Sequence, residues 1–178
     1  MTEIFESVHD LHFMSDALEG AEFILGLLEE KVPTHTAFVH LYDINAKEFV
    51  VVRARAPNTS VIGCRVGEAA GAIGIAVKRG TTILLKDAEA DKRWDRSRYE
   101  RAGYKPKTIL IVPVRQGRRY LGAIELADHI DGAELNDDEI YAVTYIAEQY
   151  AEFVAERGIV LSADSTSALP AVTPKAKP

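Results

Sequence analysis

Five histidines and a single cysteine are the side chains best suited to metal or nucleophile chemistry here, and their spacing limits what they can do. His9 and His12 stand three apart, a separation that places two imidazoles on one helix face and lets them chelate an ion. No cysteine lies near them, and His35, His40 and His129 fall in separate segments. The pattern therefore predicts surface or partly buried histidines and no metal site. Cys64 has no second cysteine with which to form a disulfide, and a lone cysteine is more often a small packed apolar residue. Ser60, Ser97 and Thr108 lack a neighbouring His-Asp pattern, and no Gly-x-Ser-x-Gly elbow occurs. The glycines at 67, 71 and 74 lack the Lys-Ser/Thr of a phosphate loop, so close packing is their expected role. No catalytic constellation and no cofactor are expected.

Charge narrows the partners. The 178 residues carry a net charge of -6, which argues against nucleic acid, where Lys and Arg carry the affinity. One stretch departs from this balance: Lys92, Arg93, Arg96, Arg98, Arg101, Lys105 and Lys107 face only Asp95 and Glu100. It reads as a solvated surface or a dock for an acidic protein. No apolar run reaches the roughly 20 residues that span a bilayer, and the first ten residues carry acids rather than the basic start of a secretory signal. A cytoplasmic location, with no membrane contact, is the expectation.

The elements that would position these groups follow from periodicity. Thr2 and Ser15 are candidate helix N-caps. After Ser15, Leu18, Ala21, Leu25, Leu28 and Val32 form a helical stripe, and Phe23, Ile24 and Leu27 widen it. Residues 36–43 and 48–56 read as a hairpin. A small-residue helix over 66–80 ends at Gly80, followed by a short strand at 81–85. The basic segment 91–107 reads as a loop with a helical turn or two. A near-continuous apolar strand at 108–115 suggests a central position, with a bulge or strand end at Pro113. Its hairpin partner is 119–127, and a long helix runs from an Asn136 or Asp137 cap to Arg157 with a stop at Gly158. That order predicts an α+β fold, a mainly antiparallel sheet with helices on one face. Residues 1–158 would form the domain. Residues 159–178, rich in Ser, Ala, Pro and Lys from Ser162, would be a disordered tail.

Two apolar stripes on each terminal helix exceed what packing on one sheet requires. Leu18, Leu25, Val143, Ile146, Tyr150 and Phe153 are therefore candidates for a homodimer interface. Packing of the two helices on each other within one chain is the alternative.

The run VGEAAGAIGIAVKRG (66–80), ILLKDAEADKRW (83–94), TILIVPV (108–114), YLGAIELA (120–127) and an acidic start to the last helix together resemble a GAF domain. The resemblance covers about residues 10–157. It implies a central sheet with the terminal helices on one face and short helices and loops on the other. GAF domains are sensory modules that bind cyclic nucleotides, haem, bilins, iron or amino acids, or nothing. The cyclic-nucleotide pattern is broken here at Asp128, His129, Leu135, Glu139 and Ile140. Cys64 is misplaced for a bilin, and one cysteine cannot run the cycle of a free methionine sulfoxide reductase.

The resemblance places a pocket beside 83–108, which makes Asp87, Arg93, Trp94, Tyr99, Tyr104 and Thr108 the candidate ligand-binding residues for a small anionic or planar ligand. The bland reading gives Asp87 a capping role, Trp94 a packing role and the basic residues a solvated face. The expected function is a non-catalytic sensory domain that dimerises and signals to a separate effector protein. The alternative is a ligand-free adaptor working through protein contacts alone. A redox enzyme of the reductase type is the least expected.

Overall fold

The computed structural model describes residues 2–162. Helix α1 (Thr2–His9) leads through a short 3-10 turn into α2 (Ala17–Lys31). The strands are β1 (Thr34–Asp43), β2 (Glu48–Arg55), β3 (Arg65–Gly67), β4 (Ile83–Leu85), β5 (Ile109–Gln116) and β6 (Arg119–His129). Between them lie α3 (Gly71–Arg79) and α4 (Ser97–Ala102), and α5 (Asp137–Arg157) follows the last strand. The predicted tail from 163 onward lies outside the described residues.

The strands form one antiparallel sheet in the order β3-β2-β1-β6-β5-β4. The α+β expectation holds, including the division of the two faces. On one face α1, α2 and α5 pack over Ala37, Val39, Leu41, Ile124 and Leu126. On the other, α3, α4 and the long connections cover Phe38, Phe49, Ile109, Ile111 and Ala123. Alternation along each strand sends successive side chains to opposite faces, which is why one hairpin serves both cores.

Several local expectations are corrected. The cap of α2 is Asp16, not Ser15: its carboxylate accepts from the Leu18 and Glu19 amides at 3.0 and 2.8 Å. Ser15 instead donates to Glu19, one turn on. Strand β3 was not anticipated, because three residues beside a glycine-rich helix give no period. The apolar strand β5 is not central but next to the edge, and both its faces are covered by helices. Pro113 fits because β4 pairs only with Ile109–Ile111, which leaves that side of the strand free of a ladder at 113, and a bulge follows at Val114/Arg115. At the last helix, Asn136 and Glu139 form a full capping box.

Two glycines mark close approaches. A Cβ on Gly74 would lie 2.3 Å from the Glu68 carbonyl, so this residue lets α3 sit against the preceding chain. A Cβ on Gly122 would lie 2.0 Å from the His40 carbonyl, which locks β6 tightly against β1.

The doubly apolar terminal helices are explained within one chain. Leu25, Val143, Ile146, Tyr150 and Phe153 are fully buried in the core shared by α2, α5 and the sheet, and only Leu18 keeps partial exposure. Their second stripe faces the neighbouring helix: Tyr150 donates to the Ala17 carbonyl at 2.6 Å, and Phe153 lies over Gly20. The five buried side chains therefore have no surface to offer a second copy.

Candidate functional site

Residues Thr36, His40, Arg98 and Glu125 are the buried polar or charged side chains among those described. All sit on the loop-covered side. His40 follows Phe38 by two on β1, and Glu125 lies between Ala123 and Ala127 on β6, all of them facing the second core. Because His40 pairs with Ala123 across the sheet, it and Glu125 are diagonal neighbours on the two central strands. The sequence expectation of a surface or partly buried histidine fails here, for His40 has no exposure at all.

Glu125 is the hub. One carboxylate oxygen meets His40 Nε2 at 3.0 Å; the other accepts from the Arg98 guanidinium at 3.0 Å and the Tyr99 hydroxyl at 2.8 Å. Helix α4 supplies Arg98 and Tyr99, and Arg98 reaches back to Asp95 at 3.3 Å. Burial works to raise the Glu125 pKa, but the Arg98 charge and the His40 hydrogen bond outweigh it and hold the carboxyl down at about 2. Burial also pushes His40 below its ordinary value despite the opposing pull of Glu125. A neutral imidazole facing an ionised, acceptor-only carboxylate must carry its proton on Nε2. Nδ1 is then a bare acceptor, and it has no partner. Arg98 Nε and Trp94 Nε1 are likewise buried without partners.

A cavity of about 260 Å³ adjoins this cluster between α3 and the basic segment, lined among others by Val66, Gly71–Ile73, Lys92–Asp95 and Arg98. The N-cap of α3, Ala70, has no side chain to cap the first turn, and the Ala72 amide there donates instead to the Arg93 carbonyl at 3.0 Å.

The six residues expected from sequence are divided by the structure. Trp94 and Tyr99 belong to this site, with their rings 6.2 Å apart. Tyr104 and Thr108 instead join a second group, in which Asp128 accepts from the Tyr104 hydroxyl (2.7 Å), the amides of Lys107 (2.9 Å) and Thr108 (2.7 Å), and the Thr108 hydroxyl (2.9 Å). That group fastens the chain entering β5 to the end of β6. Burial opposes the ionised Asp128, but the hydrogen bonds from the two amides, Tyr104 and the Thr108 hydroxyl together outweigh it and lower its pKa. Asp87 accepts weakly from the Ala90 amide at 3.4 Å, a turn cap. Arg93 lines the cavity, yet its side chain forms a bidentate pair with Asp91 at the surface. His40, Arg98 and Glu125 were missed. The available signal was a charged residue inside the apolar run AIELA and an imidazole inside AFVHLY.

The architecture is thus an α+β module, a sheet carrying helices on one face and a loop-roofed polar cavity on the other. A family model for the GAF domain matches residues 17–155, and the chain belongs to that family. No curated protein sequence matches it. Among solved structures, it is similar to the GAF domain of a phosphoenolpyruvate-protein phosphotransferase from Coxiella burnetii, with 17% identity and a TM-score of 0.75 over 86% of this chain and 90% of that one. It is also similar to the free methionine-R-sulfoxide reductase of Neisseria meningitidis solved with its substrate, with 15% identity and a TM-score of 0.71 over 85% and 86%. A third is the GAF domain/HD domain protein of Geobacter sulfurreducens, with 17% identity and a TM-score of 0.68 over 83% and 97%. At such identities these likenesses speak for the fold. Among the described residues no helix is long and apolar enough to cross a membrane.

Proposed function

We propose that this GAF domain is a non-catalytic sensory module that binds a small molecule in the cavity beside Trp94 and Arg98 and transmits its occupancy to a separate protein. The observation that carries this reading is the buried His40–Arg98–Glu125 group with its unpartnered polar atoms. A cluster of this kind contributes little to stability, because desolvation offsets most of the attraction between buried charges. Buried polar groups without partners are uncommon in folded proteins, and two of the residues that carry them, Trp94 and Arg98, are among those around the cavity. Cys64 does not support a redox alternative: burial pushes its thiol pKa up, away from the reactive thiolate.

In this reading self-association uses the outer surface of α1 and α5. Phe5 packs on Tyr145 there with ring centroids 4.6 Å apart, and Phe5 and Tyr141 are 42% and 51% exposed.

A thermal-shift screen against amino acids, organic acids, nucleotides and polyamines tests the ligand claim. A ligand at a hundred times its Kd adds about 2.7 kcal/mol, enough to raise Tm by several degrees in a domain of this size. Trp94→Ala should abolish that response. Melting curves that stay flat across the whole panel would support the adaptor that works through protein contacts alone.

A further inference from the structure

We propose that the end of the molecule formed by the last turn of α3 and the β5–β6 turn is a docking surface for an acidic segment of a partner protein. This inference rests on the signalling half of the reading above and adds the chemistry of the partner; it does not depend on the ligand cavity.

Charge pairing in three dimensions moves the positive surface away from where the sequence concentrates it. In the basic stretch 92–107 the fold brings in acids from outside. Arg93 meets Asp91 at 2.8 Å, Arg96 and Lys105 meet Glu89 at 4.0 and 3.2 Å, and Arg98 meets Glu125 at 3.0 Å. Lys78, Arg79, Arg115, Arg118 and Arg119 come from two separate segments, and none of them makes an ion pair with a described residue. Arg115 joins the two segments. Its Nη1 donates to the Val77 and Lys78 carbonyls at 2.7 and 3.1 Å, and its Nε donates to the Gly117 carbonyl at 2.7 Å. All three are neutral acceptors, so the guanidinium is held in place with its formal charge intact. Gly80, at φ 65°, leaves room for it: a Cβ there would lie 2.9 Å from Nη1.

Lys78, Arg79, Arg118 and Arg119 are all exposed around this tie. Arg79 and Arg115 also line a cavity of about 270 Å³ with Thr82 and Thr144, where Glu148 is the one acid. Cations at a helix C-terminus favour its dipole, which accounts in part for Lys78 and Arg79. It does not account for Arg118 and Arg119 in the turn that Arg115 ties to them, because gathering like charges gains nothing for the fold. A cluster of one sign on a chain of net charge -6 instead creates a local field that steers an opposite partner toward it. The same net charge selects the kind of partner. A nucleic acid would extend past the cluster onto a surface that repels it, whereas a short acidic segment need touch the cluster alone. Arginine adds a planar fork that matches a carboxylate with two parallel bonds.

The experiment titrates the full chain with a short acetylated and amidated peptide alternating Asp and Glu, and with its uncharged Asn/Gln twin. Fluorescence anisotropy is read at about 0.1 M ionic strength, where the Debye length is about 10 Å. The acidic peptide should bind and its twin should not. Neutralising the cluster, as Lys78→Gln, Arg79→Gln and Arg118→Gln, should weaken binding at least about ten-fold. Arg96→Gln, Lys105→Gln and Lys107→Gln remove the same charge from the basic stretch and should change it less than about two-fold. All six side chains are exposed, so both variants should melt within a few degrees of the parent. Arg118→Gln alone, in the turn, should still weaken binding by about three-fold. Equal loss in the two triple variants reduces the attraction to net charge, and a larger loss in the second moves the dock to 92–107; either overturns the proposal. So does an acidic peptide that fails to bind while single-stranded DNA or phosphatidylserine vesicles do, or that fails along with them. Self-association abolished by the first variant would assign the acidic segment to a second copy and overturn the separate partner. Each of these failures leaves the small-molecule screen to decide the ligand cavity, and a flat screen with intact peptide binding removes the ligand while keeping the dock.

Discussion

The two faces of the sheet have been built to opposite rules. Under α1, α2 and α5 the core is aliphatic and aromatic, and its buried Tyr150 hydroxyl finds the Ala17 carbonyl at 2.6 Å. Under α3 and α4 the core includes a carboxylate, a guanidinium and an imidazole, with polar atoms left over at Nδ1 of His40 and Nε of Arg98. Both faces share the same strands, so the difference cannot come from the sheet. It comes from what covers it: long helices that satisfy their own backbone on one side, and irregular chain beside a cavity on the other. Stability alone would favour the first arrangement on both faces. The second is therefore the face on which we place the proposed function.

The largest expected effect breaks that contrast directly. Glu125→Leu leaves the Arg98 charge buried without its partner, and should cost about 3–5 kcal/mol in denaturant unfolding. Replacing the whole group together, as His40→Leu, Arg98→Met and Glu125→Leu, makes the loop face as apolar as the helix face. The triple variant should recover most of the loss, and buried ion pairs replaced in this way are often neutral or gain about 1–4 kcal/mol. It should also lose ligand response entirely. A triple variant as unstable as the single one would mean that the cluster serves the fold, and the argument for function from the contrast between faces would fall.

On the helix face the expected losses follow cavity size alone. Ile146→Ala should cost about 2–5 kcal/mol and leave the ligand affinity of the folded fraction unchanged, as calorimetry would read. Introducing charge at Val143 and Ile146 would unfold the monomer rather than split a dimer, because both are fully buried within one chain.

That reassignment shows where sequence was legible and where it stopped. Period and capping identified nearly every long element, because the stripes of α2 and α5, the capping box at Asn136 and the left-handed Gly80 are local signals. Burial of a second helical stripe is legible too, but sequence does not say which partner buries it. Here it is the other terminal helix. The site was half legible. Trp94 and Tyr99 were reached through the resemblance, whereas Arg98 was averaged into a run of seven basic residues, of which it alone is buried. Its partner Glu125 lies 27 positions away, and no periodicity links a helix of six residues to the middle of a strand.

Acidification should separate the faces next, with a moderate effect. His40 has its pKa lowered from 6.5 in the folded chain, and Glu125 from 4.5 to about 2. In both cases the unfolded chain binds the proton first, so stability falls as pH drops. The fall should begin near pH 6.5 through His40 and steepen below 4.5 through Glu125, continuing toward pH 2. His40→Gln, which retains an N–H donor for Glu125, should flatten Tm between pH 6.5 and 5 and leave the lower limb in place. An unchanged upper limb would assign that proton to another group.

The smallest expected effect concerns how the loop face is held in place. Asp128 adopts φ 52°, a left-handed conformation that asparagine also tolerates. From there its carboxylate accepts four hydrogen bonds from Tyr104, Lys107 and Thr108. Asp128→Asn keeps the backbone geometry and the size but replaces one acceptor oxygen with a donor, so the bonds to that oxygen are lost. The cost should be about 1–2 kcal/mol, and it should be local. Amide hydrogen exchange should speed up from Tyr104 to Thr108 and in α4, while α2 and α5 keep their protection. If protection falls equally on both faces, the two cores unfold as one unit and the division is one of composition only. If it falls only from Tyr104 to Thr108 and in α4, the segment that carries Arg98 can loosen without disturbing the helix-covered core, which is the behaviour the proposed sensory role requires.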